Sequence, residues 1–129
     1  MTRLRHGSAS HYEQEFGFSR AVRVGNRVEV AGTAPIPQDG GRPPVSAHDQ
    51  MLLCGRIALD AIEALGGSVV DVVRTRVYVV DASDSEEIGR AHRLVFGEAM
   101  PAATMVVVAG LLDPGWRVEI EVEALIGER

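Results

Sequence analysis

Pro101-Ala-Ala-Thr-Met-Val-Val-Val-Ala109 and Arg117-Val-Glu-Ile-Glu-Val-Glu-Ala-Leu125 are the two runs on which the fold turns. A turn holding Asp113, Pro114 and Gly115 separates them, which predicts two adjacent antiparallel strands. The first run is apolar at every position after Thr104, the pattern of a strand buried on both faces. The second alternates, with Val118, Ile120, Val122 and Ala124 on one face and Glu119, Glu121 and Glu123 on the other. One face of this strand is core and the other is carboxylate.

Working outward, Val69 to Val80 is rich in β-branched residues and predicts a long strand on which Arg74, Arg76 and Tyr78 share a face. Ser83-Asp-Ser-Glu86 has capping-box spacing and opens a helix carrying Ile88, Ala91, Val95 and Ala99, which stops before Pro101. Earlier, Ser46 caps a helix whose apolar stripe runs from Met51 through Cys54, Ile57, Ala58, Ala61 and Ile62 to Leu65, and Gly66-Gly67 ends it. Phe18–Val24 and Arg27–Ala31 read as a hairpin turned at Gly25-Asn26, and the Pro- and Gly-dense stretch from Gly32 to Pro44 as a surface loop that rims a site. Residues 1–16 are polar and mixed and read as an irregular lead-in. The result is an α+β domain spanning 1–129, with two helices on one face of a mixed sheet. Nothing in the chain is left to cover the other face, so self-association is expected there.

With 129 residues and 46 % hydrophobic content, the chain suits one domain with a genuine core. No stretch reaches the roughly 18 apolar residues of a membrane span, and the opening Met1-Thr-Arg-Leu-Arg-His lacks a signal peptide's apolar core, so cytosol is the expected compartment. The lone Cys54 excludes an internal disulfide and, within a helical apolar stripe, reads as a buried, inert thiol. A net charge of −5 with scattered basic residues argues against a nucleic-acid surface. His6, His11, His48 and His92 form no ligand spacing, so neither a metal nor an organic cofactor is expected.

Four stretches together carry a family likeness: Gly17-Phe18-Ser-x-Ala-Val with Gly25-Asn and Val-Ala-Gly32-Thr-Ala-Pro35; Asp71-Val-Val-Arg-Thr-x-Val-Tyr-Val-Val-Asp81; Pro101-Ala-x-Thr-x-Val; and Val118-Glu-Ile-Glu121. In this order and spacing, from about Gly17 to Ala124, the chain resembles the RidA (YjgF) family of small trimeric proteins, also called the endoribonuclease L-PSP family. The resemblance implies a chorismate-mutase-like homotrimer with small-molecule clefts at the subunit interfaces. It also implies hydrolysis of reactive enamines and imines to 2-keto acids and ammonia. In such a site an arginine after Pro-Ala pairs with the substrate carboxylate, and a glutamate on the last strand positions or activates water.

Carried over position by position, the likeness keeps that glutamate as Glu119, the expected catalytic residue. The arginine position holds Ala103, and Met105 stands where a small residue or cysteine is usual. Phe18 replaces a tyrosine, Ala31 a serine and Gly89 an asparagine. These changes make the cleft less polar and argue against 2-imino acids in favour of a more apolar or uncharged ligand. A glutamate facing such a cleft is expected to hold its proton more tightly, although three alternating glutamates also suit a solvated sheet face. His92 is a second acid–base candidate or a partly exposed helix histidine, and Trp116 a roof for the cleft or a turn residue packed on its own subunit. Arg74 and Arg76 offer substitute positive charge, or intersubunit salt bridges to Glu121 or Glu123. A non-catalytic trimer that binds a metabolite or partner in the same cleft is the alternative to an enzyme. Endoribonuclease chemistry is disfavoured, because no cluster of His, Lys and Arg is present to cleave phosphodiesters.

Overall fold

A computed structural model describes residues 2–127; Met1, Glu128 and Arg129, counted in the expected domain, lie outside them. Six strands, β1 (Arg3–His6), β2 (Ala21–Val24), β3 (Arg27–Thr33), β4 (Val72–Val79), β5 (Ala102–Val107) and β6 (Val118–Leu125), form one mixed sheet in the order β1-β2-β3-β6-β4-β5. The helices are α1 (Tyr12–Phe16), α2 (Ala47–Ala64) and α3 (Ser85–Phe96). None of the described helices is long and apolar enough to cross a membrane.

The alternation in β6 decides which face is core. Val118, Ile120, Val122 and Ala124 are fully buried with Val28, Val30, Val77 and Val79 from the flanking strands. Against this face pack Met51, Cys54, Ala58 and Ile62 of α2 and Ile88, Ala91 and Phe96 of α3, completing the two-layer α+β arrangement that the pattern predicts. Ser46 caps α2 by accepting the Asp49 amide at 3.0 Å. Gly66, at φ 98°, takes the left-handed turn that lets Gly67 close back on the Ile62 carbonyl. The opposite face carries Arg27, Arg76, Tyr78, Glu121 and Glu123, linked by Arg27–Glu123 (3.7 Å), Arg76–Glu123 (3.8 Å) and a Tyr78–Glu121 hydrogen bond. The packing of α2 and α3 is on the core face, not on this one.

Three expectations are corrected. The runs 101–109 and 117–125 are not neighbours: β4 lies between them, antiparallel to β6 and parallel to β5. The α3 crossover carries β5 to the outside of β4, as a strand-helix-strand unit does, and β6 then enters between β4 and β3. The apolar run is consequently an edge, exposed at Ala102, Ala103, Thr104, Val106 and Val107, rather than buried on both sides. Residues 1–16 are not irregular either. β1 pairs with β2 from Arg3↔Val24 to His6↔Ala21, and α1 follows. As an edge strand with exposed Arg3 and Arg5, β1 lacks the apolar period that would reveal it. Finally, Ser83 does not cap α3. The Asp81 carboxylate takes the Ser83 amide at 2.9 Å, a 3₁₀ turn (Ala82–Asp84) intervenes, and a second 3₁₀ turn (Val69–Asp71) shortens β4.

Candidate functional site

Where β3 runs beside β6, Val30 opposes Val122 but Thr33 opposes Ile120, so one extra residue bulges out of β3 at Ala31-Gly32. Into the space over the bulge β6 directs Glu119, whose carboxylate lies so close to Gly32 that a Cβ there would overlap Oε2. Burial raises the proton affinity of Glu119; the positive charge of Arg20 partly offsets this, and the negative charge of Glu121 adds to it.

Arg20, immediately before β2, is 3 % exposed. Its Nε donates to Glu13 Oε2 at 3.2 Å, and its Nη1 donates to the Gly32 carbonyl at 2.6 Å and to Thr33 Oγ1 at 3.0 Å. The guanidinium also lies 5.5 Å from the Phe18 ring centre. Glu13, buried in α1, additionally accepts the Ser8 amide at 3.0 Å and the Ser8 hydroxyl. The short helix α1 therefore holds one carboxylate against one guanidinium, and that guanidinium hydrogen-bonds the bulge beneath Glu119.

Trp116 is positioned from the other side. Buried Gln50 of α2 donates to the carbonyls of Pro44 (2.8 Å) and Gly115 (2.9 Å) and accepts the Arg117 amide at 2.7 Å, pinning the turn that precedes β6. Asp84 grips Arg117 through both carboxylate oxygens at 2.7 and 3.0 Å. The indole, 6 % exposed, meets Tyr12 edge-on with ring centres 6.0 Å apart. Between these groups lies a cavity of about 600 Å³. Its apolar wall includes Tyr12, Phe16, Phe18, Ile36, Ile57, Leu112 and Trp116; its polar groups include His6, Ser8, Arg20, Asp60 and Glu119.

Of the residues singled out in the sequence, Glu119, Phe18 and Trp116 meet at this cavity. Ala31 lines a separate depression on the open sheet face with Phe18, Val22 and Glu121. The others lie toward the opposite edge. His92 hydrogen-bonds Thr75 Oγ1 through Nε2 at 2.8 Å and packs on Phe96, and burial lowers its proton affinity. Ala103 is level with Thr75 on that same side of the sheet, and Met105 is level with Val77. Gly89 is on α3, partly exposed. Arg74 donates to Thr104 Oγ1 at 2.8 Å and Arg76 pairs with Glu123, so neither lines the Glu119 cavity. Cys54 is fully buried and its thiol is pushed up by that burial. Among the described residues no group of three His, Cys, Asp or Glu side chains is arranged to hold a metal ion.

Sequence reasoning missed Arg20, Glu13, Gly32 and Tyr12. No periodic signal joins Glu13 to Arg20, since their contact depends on α1 folding back over β2. Gly32 was legible as the start of a loop and as part of a family-like stretch, but not as the residue beneath Glu119. Its role is testable: Gly32→Ala is expected to push the Glu119 carboxylate toward solvent. A carboxyl ¹³C NMR titration then moves Glu119 down toward the ordinary glutamate range, while the core resonances stay in place.

Comparison with known proteins adds the following. Residues 9–126 match the family model described as Endoribonuclease L-PSP. A Streptomyces coelicolor protein, SCO2049, is 38 % identical over 120 residues, which cover 93 % of this chain and 90 % of that one. An Escherichia coli protein named 2-iminobutanoate/2-iminopropanoate deaminase is 30 % identical over 119 residues, covering 87 % and 88 %. The crystal structure of Rv2704 from Mycobacterium tuberculosis, of the YjgF/YER057c/UK114 family, superposes with a TM-score of 0.88 at 38 % identity, covering 97 % of this chain and 100 % of that one.

Proposed function

The chain belongs to the endoribonuclease L-PSP family, that of YjgF and RidA, and from that premise we propose that it hydrolyses an enamine, an imine or a related small carbonyl-derived compound with Glu119 as catalytic residue. The observation that carries this reading is the half-buried Glu119 carboxylate, with its raised proton affinity, on the wall of a cavity of mixed polar and apolar lining. Glu119 takes a proton from water as the water oxygen bonds to the imine carbon. It then returns that proton to nitrogen, the remaining hydroxyl proton passes to nitrogen as the C–N bond breaks, and ammonia leaves a carbonyl behind. Neither a metal nor an organic cofactor enters this sequence.

The 2-imino acids acted on by the named relative are the poorer substrates here, because Ala103 stands where an arginine would pair with their carboxylate. Two charge-assisted hydrogen bonds at roughly 1.5–3 kcal/mol each amount to about a hundred-fold or more in affinity. Ala103 is two strands from Glu119, roughly 10 Å across the sheet, and on the opposite face. A residue at position 103 therefore meets a Glu119 only in another copy. We assign the chain to a homotrimer, working in the cytosol, in which the exposed apolar edge β5 of one subunit closes the Glu119 cavity of the next. Gly89, His92, Ala103 and Met105 then complete the cleft from the neighbour. Support comes from the uncovered sheet face and from Val106 and Val107, 43 % and 58 % exposed.

The absent arginine also favours a second reading, a non-catalytic trimer that binds a small molecule or partner in the same cleft. RNA cleavage is the weakest reading, since the cavity presents carboxylates and the chain carries a net charge of −5. The deciding assay generates imines in situ with an amino-acid oxidase and follows their loss, with sedimentation equilibrium reporting the trimer. Hydrolysis by the wild-type chain, slower than by Ala103→Arg, is the expected result. A wild-type chain that is inactive while Ala103→Arg is active means the scaffold is tuned to another ligand, and inactivity in both supports the binding protein.

A further inference from the structure

The balance of charge around the Glu119 cavity points to a ligand class. Arg20 is its only arginine among the described residues, and that charge is paired with Glu13 at 3.2 Å, with two further donations to Gly32 and Thr33. Two carboxylates in the lining, Glu119 and Asp60, make no ion pair with it. Asp60 faces Arg56 at 3.4 Å on the exposed side of α2, a contact that solvent weakens. The rest of the wall is dominated by the rings of Tyr12, Phe16, Phe18 and Trp116, whose faces attract cations and apolar groups alike.

We propose that this cavity takes a protonated amine or iminium bearing an apolar or aromatic group and no carboxylate. The inference rests on the hydrolytic reading only for what happens after binding. A carboxylate-bearing ligand would meet Glu119 while Arg20 is already paired with Glu13, whereas an ammonium or iminium group meets the half-buried Glu119 carboxylate. For a protonated imine the reaction balances as R–CH=NH₂⁺ plus water giving R–CHO plus NH₄⁺. Water oxygen bonds to carbon, Glu119 relays the water proton to nitrogen, the C–N bond breaks, and the remaining hydroxyl proton leaves with ammonia. The reaction that supplies such a substrate is the two-electron oxidation of a primary amine.

Trp116 is the chain's only tryptophan and lines the cavity, so its fluorescence reports occupancy directly. Titration of the full chain with 2-phenylethylammonium, 3-phenylpropanoate and 2-phenylethanol is expected to show the ammonium binding at least ten-fold more tightly than the carboxylate. Glu119→Gln is expected to weaken the ammonium ten-fold or more and leave the neutral alcohol unchanged. Asp60→Asn, at an exposed helix position, weakens it by a smaller factor. Equal or tighter binding of the carboxylate, ammonium affinity untouched by Glu119→Gln, or no quenching by any of the three overturns the proposal. The hydrolytic reading fails separately. Glu119-dependent ammonium binding without hydrolysis of the imine released from 2-phenylethylamine by an amine oxidase sinks the enzyme and keeps the ligand class. Faster hydrolysis of 2-imino acids than of that imine does the reverse.

Discussion

Glu119→Gln is expected to lower imine hydrolysis by about 10²–10⁴-fold, the span of a single positioned acid–base group, while the folded structure is retained. Glutamine matches the carboxylate in size beside Gly32 and still forms hydrogen bonds, so the loss is one of proton transfer and charge. The wild-type pH profile carries a matching signature. The charged groups that act on Glu119 are Arg20, which lowers its proton affinity, and Glu121, which raises it together with burial, the largest cause. Acting first as a base, Glu119 must be ionised, so activity falls as pH drops through a midpoint above the ordinary glutamate range. The effect on stability has the opposite sense. A carboxyl group whose folded pKa is raised binds its proton more tightly in the native state. Its contribution to stability is therefore fully present below the unfolded pKa and lost as pH rises through the folded one. Urea midpoints of wild type and Glu119→Gln, compared across that window, are expected to show the wild type losing stability relative to the variant. A parallel pair of curves, or a variant with undiminished activity, removes Glu119 from the mechanism.

Much of this layout was legible because it depends on local periodicity. Strict alternation in Val118–Leu125 assigns the core face of β6 and leaves Glu119 on the other, and the stripe from Met51 to Leu65 assigns α2. What escaped was decided by contacts between segments distant in sequence. The apolar composition of Thr104–Ala109 reads as interior, yet it says nothing about which strand lies beside it. The α3 crossover settles that, and places the run on an exposed edge. Likewise the alignment of Ala103 with a missing arginine is visible in the sequence, while its separation from Glu119 by two strands and by the thickness of the sheet is not. Residues 3–16 are polar, and polarity there reads as irregular chain. The structure shows the contrary case, in which β1 is ordered by backbone pairing and α1 by one buried ion pair and the packing of Tyr12 on Trp116.

That ion pair carries the largest expected effect on stability. Arg20→Met leaves Glu13 buried, at 8 % exposure, with only the Ser8 groups as partners, and strips the Gly32 carbonyl and Thr33 hydroxyl of their donor. Breaking a buried pair from one side costs about 3–5 kcal/mol, which for a chain of this size is a fall in Tm of roughly 10–20 °C. Most of that cost is the stranded charge, so Glu13→Gln combined with Arg20→Met is expected to recover a substantial part of it. The two single changes then sum to more than the double, the mark of direct coupling. Additive losses would mean that the two side chains stabilise the fold independently. Arg20→Lys separates charge from shape. A lysine keeps the positive charge near Glu119 but lacks the fork that reaches Glu13, Gly32 and Thr33 at once. It should lose stability while leaving the acid limb of the activity profile near the wild-type position, whereas Arg20→Met moves that limb to higher pH, because the charge that restrains Glu119 is gone. The bulge, the buried helix carboxylate and Glu119 thus form one electrostatic unit. In it the guanidinium hydrogen-bonds the Gly32 carbonyl beneath Glu119 and partly offsets the burial that raises the proton affinity of Glu119.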